Sequence, residues 1–477
     1  MDTASSDSAA TPPPGGSPQP PRQNNRRKVA AAAAAASAVE WYDYFIFGIA
    51  AALVLGGKFF PSSSPVAEVL SSFATFAVGF LARPIGGIIA GQLGDKRGRK
   101  PMLVMALTVM GLATTAIALL PGYDQIGVAA PIALVLLRVL QGVAVGAQWG
   151  GAMLMATEYA PEGKRGLYGS LVQLGVPIGV VTANVAFLLT EALTDDAAFG
   201  AWGWRVPFGV GVLVLLLAWY IHARVEETPE FREAERALAE RERAEREQKE
   251  ALKKGGAAAK ARSPLRTILK EHLGTVLLAG GSFAVNTATF YIIITGVLDY
   301  TTRDLHMERG SVLMVSLLVS LTQLVLIPAA AAVSDRLGRL PVYTAGALGI
   351  FLWAVPMFLL IDTKSLWLLG LGTFVTSCFL SIMYGPQAAL FAELFTAEMR
   401  YTGASLGYQF AAVVGGGLAP FMMVLLLEVS GTSMAVSGYI MGLALVALAS
   451  IAVLHKRARA REASAAAARP EAEAEPA

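Results

Sequence analysis

Charged residues interrupt stretches of the sequence that are otherwise apolar, Glu40, Asp43 and Arg138 among them. Placing one charge at the centre of a bilayer costs about 2.5–3.5 kcal/mol on insertion scales, so each marks a candidate site. Glu40 and Asp43 stand three apart and share one face of a helix. Two acids and an arginine that face one another can trade partners. Protonating an acid frees the guanidinium for an anionic group, and deprotonation restores the ion pair. The acid's hold on its proton then tracks what Arg138 is bound to. The plainer use of the same residues is a static interhelical ion pair. Glu40, only twelve positions after Lys28, could also remain hydrated near a surface.

Uncharged polar residues in the apolar runs form a second set: Gln141, Gln148, Gln173, Asn286, Gln323, Gln387 and Gln409. In a dry interior each needs a partner, across helices or in a watery cavity. Tyr42, Trp149, Tyr291, Tyr384 and Tyr408 are candidate walls for such a cavity, although aromatic residues at helix ends also serve as interface anchors. Glycines at 142, 146 and 150, and at 175 and 179, recur every four residues, a spacing that lets helices pack closely. Gly415, Gly416 and Gly417 with Pro420 supply a bend.

A third set is a repeated mark. Asp95, Gly98 and Arg99 form the frame Asp-x-x-Gly-Arg, and Asp335, Gly338 and Arg339 repeat it 240 positions on. Glu158 and Arg165, seven apart, are echoed by Glu393 and Arg400 at an offset of 235. Two marks at nearly one offset argue for a duplicated six-helix unit with a binding site between the copies. In the frame, glycine permits the turn, the aspartate can face a helix N-terminus, and the arginine can reach a carboxylate on a neighbouring helix. These contacts could latch one conformation. The alternative is a plain basic loop with a glycine turn.

The elements that must position these residues are apolar helices. Hydrophobic residues make up 55% of the 477 residues and charged ones 15%, against about 25% charged in soluble domains. Mean hydropathy is +0.55. The first run continues past Arg26, Arg27, Lys28 and seven alanines to Leu55, longer than a cleaved signal peptide, so it reads as a retained helix. Further spans are predicted at 66–91, 102–120, 129–156, 166–189, 206–221, 273–300, 311–333, 342–361, 366–390, 403–427 and 435–454. The expected fold is an all-α membrane protein of twelve transmembrane helices in two pseudo-symmetric six-helix halves. Loop arginines and lysines concentrate on the side of Lys96–Lys100, Lys164, Arg336 and Arg400, which places both termini in the cytoplasm.

The expected organisation is a disordered tail over 1–28, a six-helix half over 29–223, a charged linker over 224–266, a second half over 267–455 and a second tail over 456–477. The linker reads as a charged spacer more readily than as a partner-binding helix. The single cysteine, Cys378, and four scattered histidines exclude a disulfide framework and give no metal-ligand cluster. No catalytic triad, paired-histidine metal motif or phosphate loop appears, so no enzyme activity and no cofactor are expected. A net charge of +3 lies in short loops and gives no nucleic-acid face.

The chain resembles the major facilitator superfamily, and within it the metabolite–proton symporters. The resemblance is carried by Glu40–Gly48, Phe80–Gly87, Gly94–Lys100, Arg138–Gly142, Glu158–Pro161, Trp204–Phe208, Glu227–Phe231 and Tyr401–Tyr408. The Asp-x-x-Gly-Arg frame marks only the superfamily, while the combined set marks the narrower group. It implies a carrier in the cell inner membrane that moves a small organic acid or zwitterion with protons, by alternating access and as a monomer. One position departs from the family. Gln148 stands where relatives carry a glutamate, which shifts proton coupling elsewhere or removes it. An uncoupled uniporter or an exporter is the alternative, and a non-transporting sensor a more distant one.

Overall fold

The computed structural model describes residues 23–62, 64–97, 99–146, 163–224, 273–395 and 400–467. The predicted sites Gly98, Gln148, Trp149 and Glu158, and most of the charged linker, lie outside these residues. So do the side chains of Asp95, Arg99 and Arg400.

Helix is the only regular secondary structure among the described residues. Among the described residues, ten helices are long and apolar enough to cross a membrane: α1 (Ser37–Phe59), α2 (Pro65–Gly87), α4 (Ala129–Gly146), α5 (Arg165–Leu193), α7 (Leu273–Asp304), α8 (Arg309–Leu337), α9 (Arg339–Ile361), α10 (Leu366–Leu394), α11 (Gly403–Ser430) and α12 (Met434–Arg457). Two shorter apolar helices, α3 (Val104–Leu119) and α6 (Gly203–Leu216), fall between them in sequence. Several helices outrun their apolar stretches. The first begins at Gln23 and the last continues to Ala467, so residues 23–28 and 456–467, assigned above to tails, are helical. The second extension is alanine-rich, and the first runs directly into seven alanines at 30–36; alanine is the strongest helix former.

The packing order is simple. α1 lies along α5, α2 along α4, α8 and α9 along α10, and α12 along α7 and α9. Helices before residue 225 meet helices after residue 272 along α5 with α8 and α10, and along α2 with α11. The α2–α4 contact needs glycine. A Cβ on Gly142 would come within 2.1 Å of the Gly79 carbonyl oxygen, and one on Gly146 within 1.9 Å of the Arg83 carbonyl oxygen. Backbone touches backbone there, as the four-residue glycine spacing requires.

Four helices depart from the α-helical register. π-helical turns occupy Ala51–Leu55 in α1, Ile292–Gly296 and Tyr300–Asp304 in α7, and Ala412–Gly417 in α11. α5 breaks at Leu174, between Arg165–Gln173 and Gly175–Leu193. The first turn in α1 and the first in α7 are 241 positions apart, close to the offset of the repeated charge marks. π turns concentrate at functional sites, and these lie in helices that border the site below.

Candidate functional site

Two arginines are buried where the leading helices converge. Arg138 on α4 is fully buried and Arg83 on α2 is 1% exposed. Arg138 Nη1 donates to Gln141 Oε1 at 2.9 Å. Gln141 Nε2 donates to Asp43 Oδ2 at 2.8 Å and to Thr114 Oγ1 at 2.9 Å. The Thr114 hydroxyl donates to Asp43 Oδ1. Arg138 therefore reaches Asp43 through an amide rather than by a direct ion pair. Chemistry fixes the amide orientation, since the reverse would set its N–H group against the guanidinium and its oxygen against the carboxylate. When Asp43 is ionised, the Gln141 dipole lies head-to-tail between the two charges. A proton on Asp43 removes the charge that orients the dipole.

Arg83 takes a different setting. Its Nε donates to the Tyr44 hydroxyl at 3.1 Å. Its guanidinium carbon lies 4.0 Å from the Tyr44 ring centroid, 4.2 Å from Phe80 and 5.5 Å from Trp41. Arg138 is similarly 4.0 Å from the Phe47 centroid and 4.7 Å from Tyr44. Contacts of this kind contribute about 0.5–2 kcal/mol each and help offset the loss of water. Even so, Arg83 Nη2, Arg138 Nε and Arg138 Nη2 have no hydrogen-bond partner among the described residues. Glu40, 5% exposed, makes no hydrogen bond among them either, and Arg83 is the opposite charge that acts on it.

Beside these charges lies a small cavity, of about 30 Å³ measured at the centres of water-sized spheres. Trp41 and Val176 line it from the leading helices, and Phe283, Asn286, Thr287, Phe290, Tyr291, Gln323, Ile327, Leu380, Ser381, Tyr384 and Tyr408 from the trailing ones. Asn286 Nδ2 donates to the Leu380 carbonyl at 3.0 Å, and Gln323 Nε2 to Ser377 Oγ at 2.9 Å. Of the cavity candidates named from sequence, Asn286, Tyr291, Gln323, Tyr384 and Tyr408 lie on this wall. Gln141 belongs to the charge cluster. Tyr42 turns away and donates to the Pro207 carbonyl at 2.8 Å. Gln173 donates to Gln387 Oε1 at 2.7 Å and to the Tyr384 carbonyl at 3.1 Å, joining α5 to α10. Gln409 is buried outside the wall.

α5 and α8 run antiparallel and are clasped at both ends. At one end Asp335 accepts the backbone N–H groups of Gly166 (2.9 Å) and Leu167 (3.0 Å), the first residues of α5. This is an anion at a helix N-terminus, supplied from another helix. Arg339 pairs with Asp335 at 2.6 Å and reaches Glu393 at 3.5 Å. Gly338, with φ of 92°, makes the turn that brings Asp335 and Arg339 together. Arg165 is exposed, and Arg165 has no ion pair among the described residues. At the other end Arg309 of α8 pairs with Glu191 (2.9 Å), in the last turn of α5, and with Asp196 (3.1 Å), just after it. Gln173 lies between the two clasps.

Sequence reasoning missed Arg83, Tyr44, Thr114, Trp41, Phe283, Phe290, Thr287, Ser381 and the Arg309 clasp as site residues. Arg83 carried the same signal as Arg138, a charge within an apolar run. Trp41, Tyr44 and Thr287 stand beside residues already chosen, Phe283 and Phe290 are apolar aromatics, and Thr114 and Ser381 are single hydroxyls with no mark of their own.

An all-helical membrane bundle, with paired charges in its dry core and a cavity between its leading and trailing helices, defines a membrane carrier. The family model described as "Sugar (and other) transporter" matches residues 29–456. The chain belongs to that family, within the major facilitator superfamily. It is 38% identical to the shikimate transporter of Escherichia coli (strain K12) over 387 residues, covering 81% of this chain and 84% of that protein. It is 35% identical to the inner membrane metabolite transport protein YhjE of the same organism over 431 residues, covering 88% and 92%. Its fold matches the partially occluded, inward-open xylose transporter XylE from E. coli with a TM-score of 0.66 at 16% identity, covering 90% of this chain and 98% of that one. The chain is a multi-pass inner-membrane transporter and not an enzyme.

Proposed function

We propose that this carrier takes up a small carboxylate-bearing metabolite, an organic acid or a zwitterion, together with protons and by alternating access. The observation that carries the reading is the Asp43–Gln141–Arg138 chain in the dry core. An ionised Asp43 engages Arg138 through Gln141. A protonated Asp43 releases it, so that the guanidinium can hold a substrate carboxylate. The substrate then occupies the cavity beside Tyr291, Asn286 and Gln323.

In this reading twelve helices cross the membrane in two six-helix halves, 29–223 and 267–455, joined by the linker 224–266, with both termini cytoplasmic. The equal spacing of the π turns and of the charge marks supports the duplication. The Asp335 clasp then lies on the cytoplasmic rim and the Arg309 clasp on the outer one. With both shut, the site is sealed at each end. Opening one clasp while the other holds gives the alternation.

The test is uptake by purified protein in liposomes under an inside-alkaline gradient, with shikimate, succinate, citrate, proline and glycine betaine as the panel. Accumulation that a protonophore abolishes supports symport. Downhill uptake indifferent to the gradient sinks the coupling and favours the uniporter that Gln148 points to.

A further inference from the structure

The core holds a second cation that the Asp43–Gln141–Arg138 chain does not use. Arg83 lies on α2 behind the cavity wall, and three residues that line the cavity also face it. Its guanidinium carbon is 5.5 Å from the Trp41 ring centroid, and Tyr291 and Tyr408 act on its charge. No carboxylate hydrogen-bonds to Arg83 among the described residues. Nη2 is unpartnered and buried, as is the Tyr291 hydroxyl on the cavity wall. A buried guanidinium with a free N–H edge has lost its water without gaining an acceptor. Next to a cavity, that edge is where an anionic group binds best.

We propose that Arg83 is a second substrate-binding cation, which takes a carboxylate of the substrate at its free edge with the Tyr291 hydroxyl as a second donor. The inference rests on the carrier reading and narrows its substrate class. The charges acting on Arg83 are Glu40 from α1 and Arg138 from α4, with the hydroxyls of Tyr44, Tyr291 and Tyr408, and Asp43 of α1 acts on both Glu40 and Arg138. With both acids ionised, the four charges sum to zero and the core has no net attraction for an anion. One protonated acid leaves a net charge of +1, matched by a monocarboxylate. Two leave +2, matched by a dicarboxylate spanning both arginines. Number of protons carried and number of substrate carboxylates are therefore tied. A metabolite without a carboxylate is not a substrate.

The experiment measures ligand-induced thermal stabilisation of the purified full-length protein, titrated with shikimate, succinate, citrate, proline and glycine betaine and with their methyl esters. Wild type is expected to be stabilised by at least one acid and by none of the esters. Arg83→Gln should raise the apparent Kd of that acid about tenfold or more, the loss of one charge-assisted hydrogen bond. Arg83→Lys should fall between, because it keeps the charge without the planar fork. Glu40→Gln should bind about threefold tighter or better, since it removes the acid that competes for Arg83. Should Arg83→Gln fail to fold, Arg83→Lys and Glu40→Gln decide the matter. Equal affinity in wild type and the Arg83 variants, esters that bind as well as acids, or no stabilising acid at all would each overturn the proposal. The assay needs no gradient. Arg83-dependent binding without gradient-driven uptake refutes coupling alone, and gradient-driven uptake with Arg83-independent binding refutes this site alone.

Discussion

Replacing Asp335 with asparagine keeps the side chain's shape and removes its charge. Asp335 accepts two backbone N–H groups of α5, at 2.9 and 3.0 Å, and pairs with Arg339 at 2.6 Å. The pair is largely shielded from solvent, with side-chain exposures of 7% and 12%, so screening by water is limited. An asparagine oxygen can still accept one N–H, but its amide nitrogen would face the other. One charge-assisted hydrogen bond to α5 is lost, about 1.5–3 kcal/mol, along with the local Asp335–Arg339 pair across the Gly338 turn. Only the hydrogen bonds to α5 exist solely while this end of the α5–α8 pair is shut. Their loss shifts the closed-to-open ratio by roughly 10- to 150-fold. The assay is the distance distribution between spin labels at Arg165→Cys and Leu337→Cys, two exposed positions flanking the contact, with the single native cysteine, Cys378, changed to serine. Asp335→Asn should add or enlarge a longer-distance population. An unchanged distribution would refute a latch and leave Asp335 as a helix cap only.

Three further outcomes follow from the same contacts. Gly142→Ala places a methyl within 2.1 Å of the Gly79 carbonyl oxygen and should cost about 1–3 kcal/mol, read as a lower melting temperature, whereas Gly438→Ala, with nothing within 4 Å, should leave it unchanged. Arg309→Gln breaks the half-exposed clasp to Glu191 and Asp196, worth about 1 kcal/mol, and should enlarge the population open at that end roughly fivefold, measured with labels at that rim. Gln141→Leu removes the amide between Arg138 and Asp43 and should cut gradient-driven accumulation about tenfold or more, checked against wild type at matched protein density.

Much of the architecture was legible in the sequence because lipid leaves the backbone few choices. Runs of about 20 apolar residues have to be helices, and ten of the runs read from hydropathy correspond to helices long enough to span. The chain is also helical over Arg99–Leu119 and Gly211–Arg224, where hydropathy predicted spans at 102–120 and 206–221. π turns were invisible because their register is a matter of backbone hydrogen bonding, and Gly415–Gly417 suggested only a bend. Arg138, Gln141 and Asp43 come together because each polar group in a dry core needs a partner. Which partner each takes depends on helix rotation, and Tyr42 and Gln173 turned toward Pro207 and Gln387 instead of the cavity. The Asp335 latch was half legible. Its aspartate recurs at a fixed offset, but its partners are the N–H groups of Gly166 and Leu167, which any sequence possesses.

The central claim is that protonation of Asp43 couples substrate to the proton gradient, and Asp43→Asn tests it most directly. The variant fixes the side chain in a neutral form while leaving a group that can still meet Gln141 and Thr114. In proteoliposomes the account predicts that Asp43→Asn loses accumulation driven by an inside-alkaline gradient and retains exchange of labelled for unlabelled substrate at equal concentrations. Accumulation that persists in the variant and still collapses with a protonophore would contradict it, and would place the proton on another group.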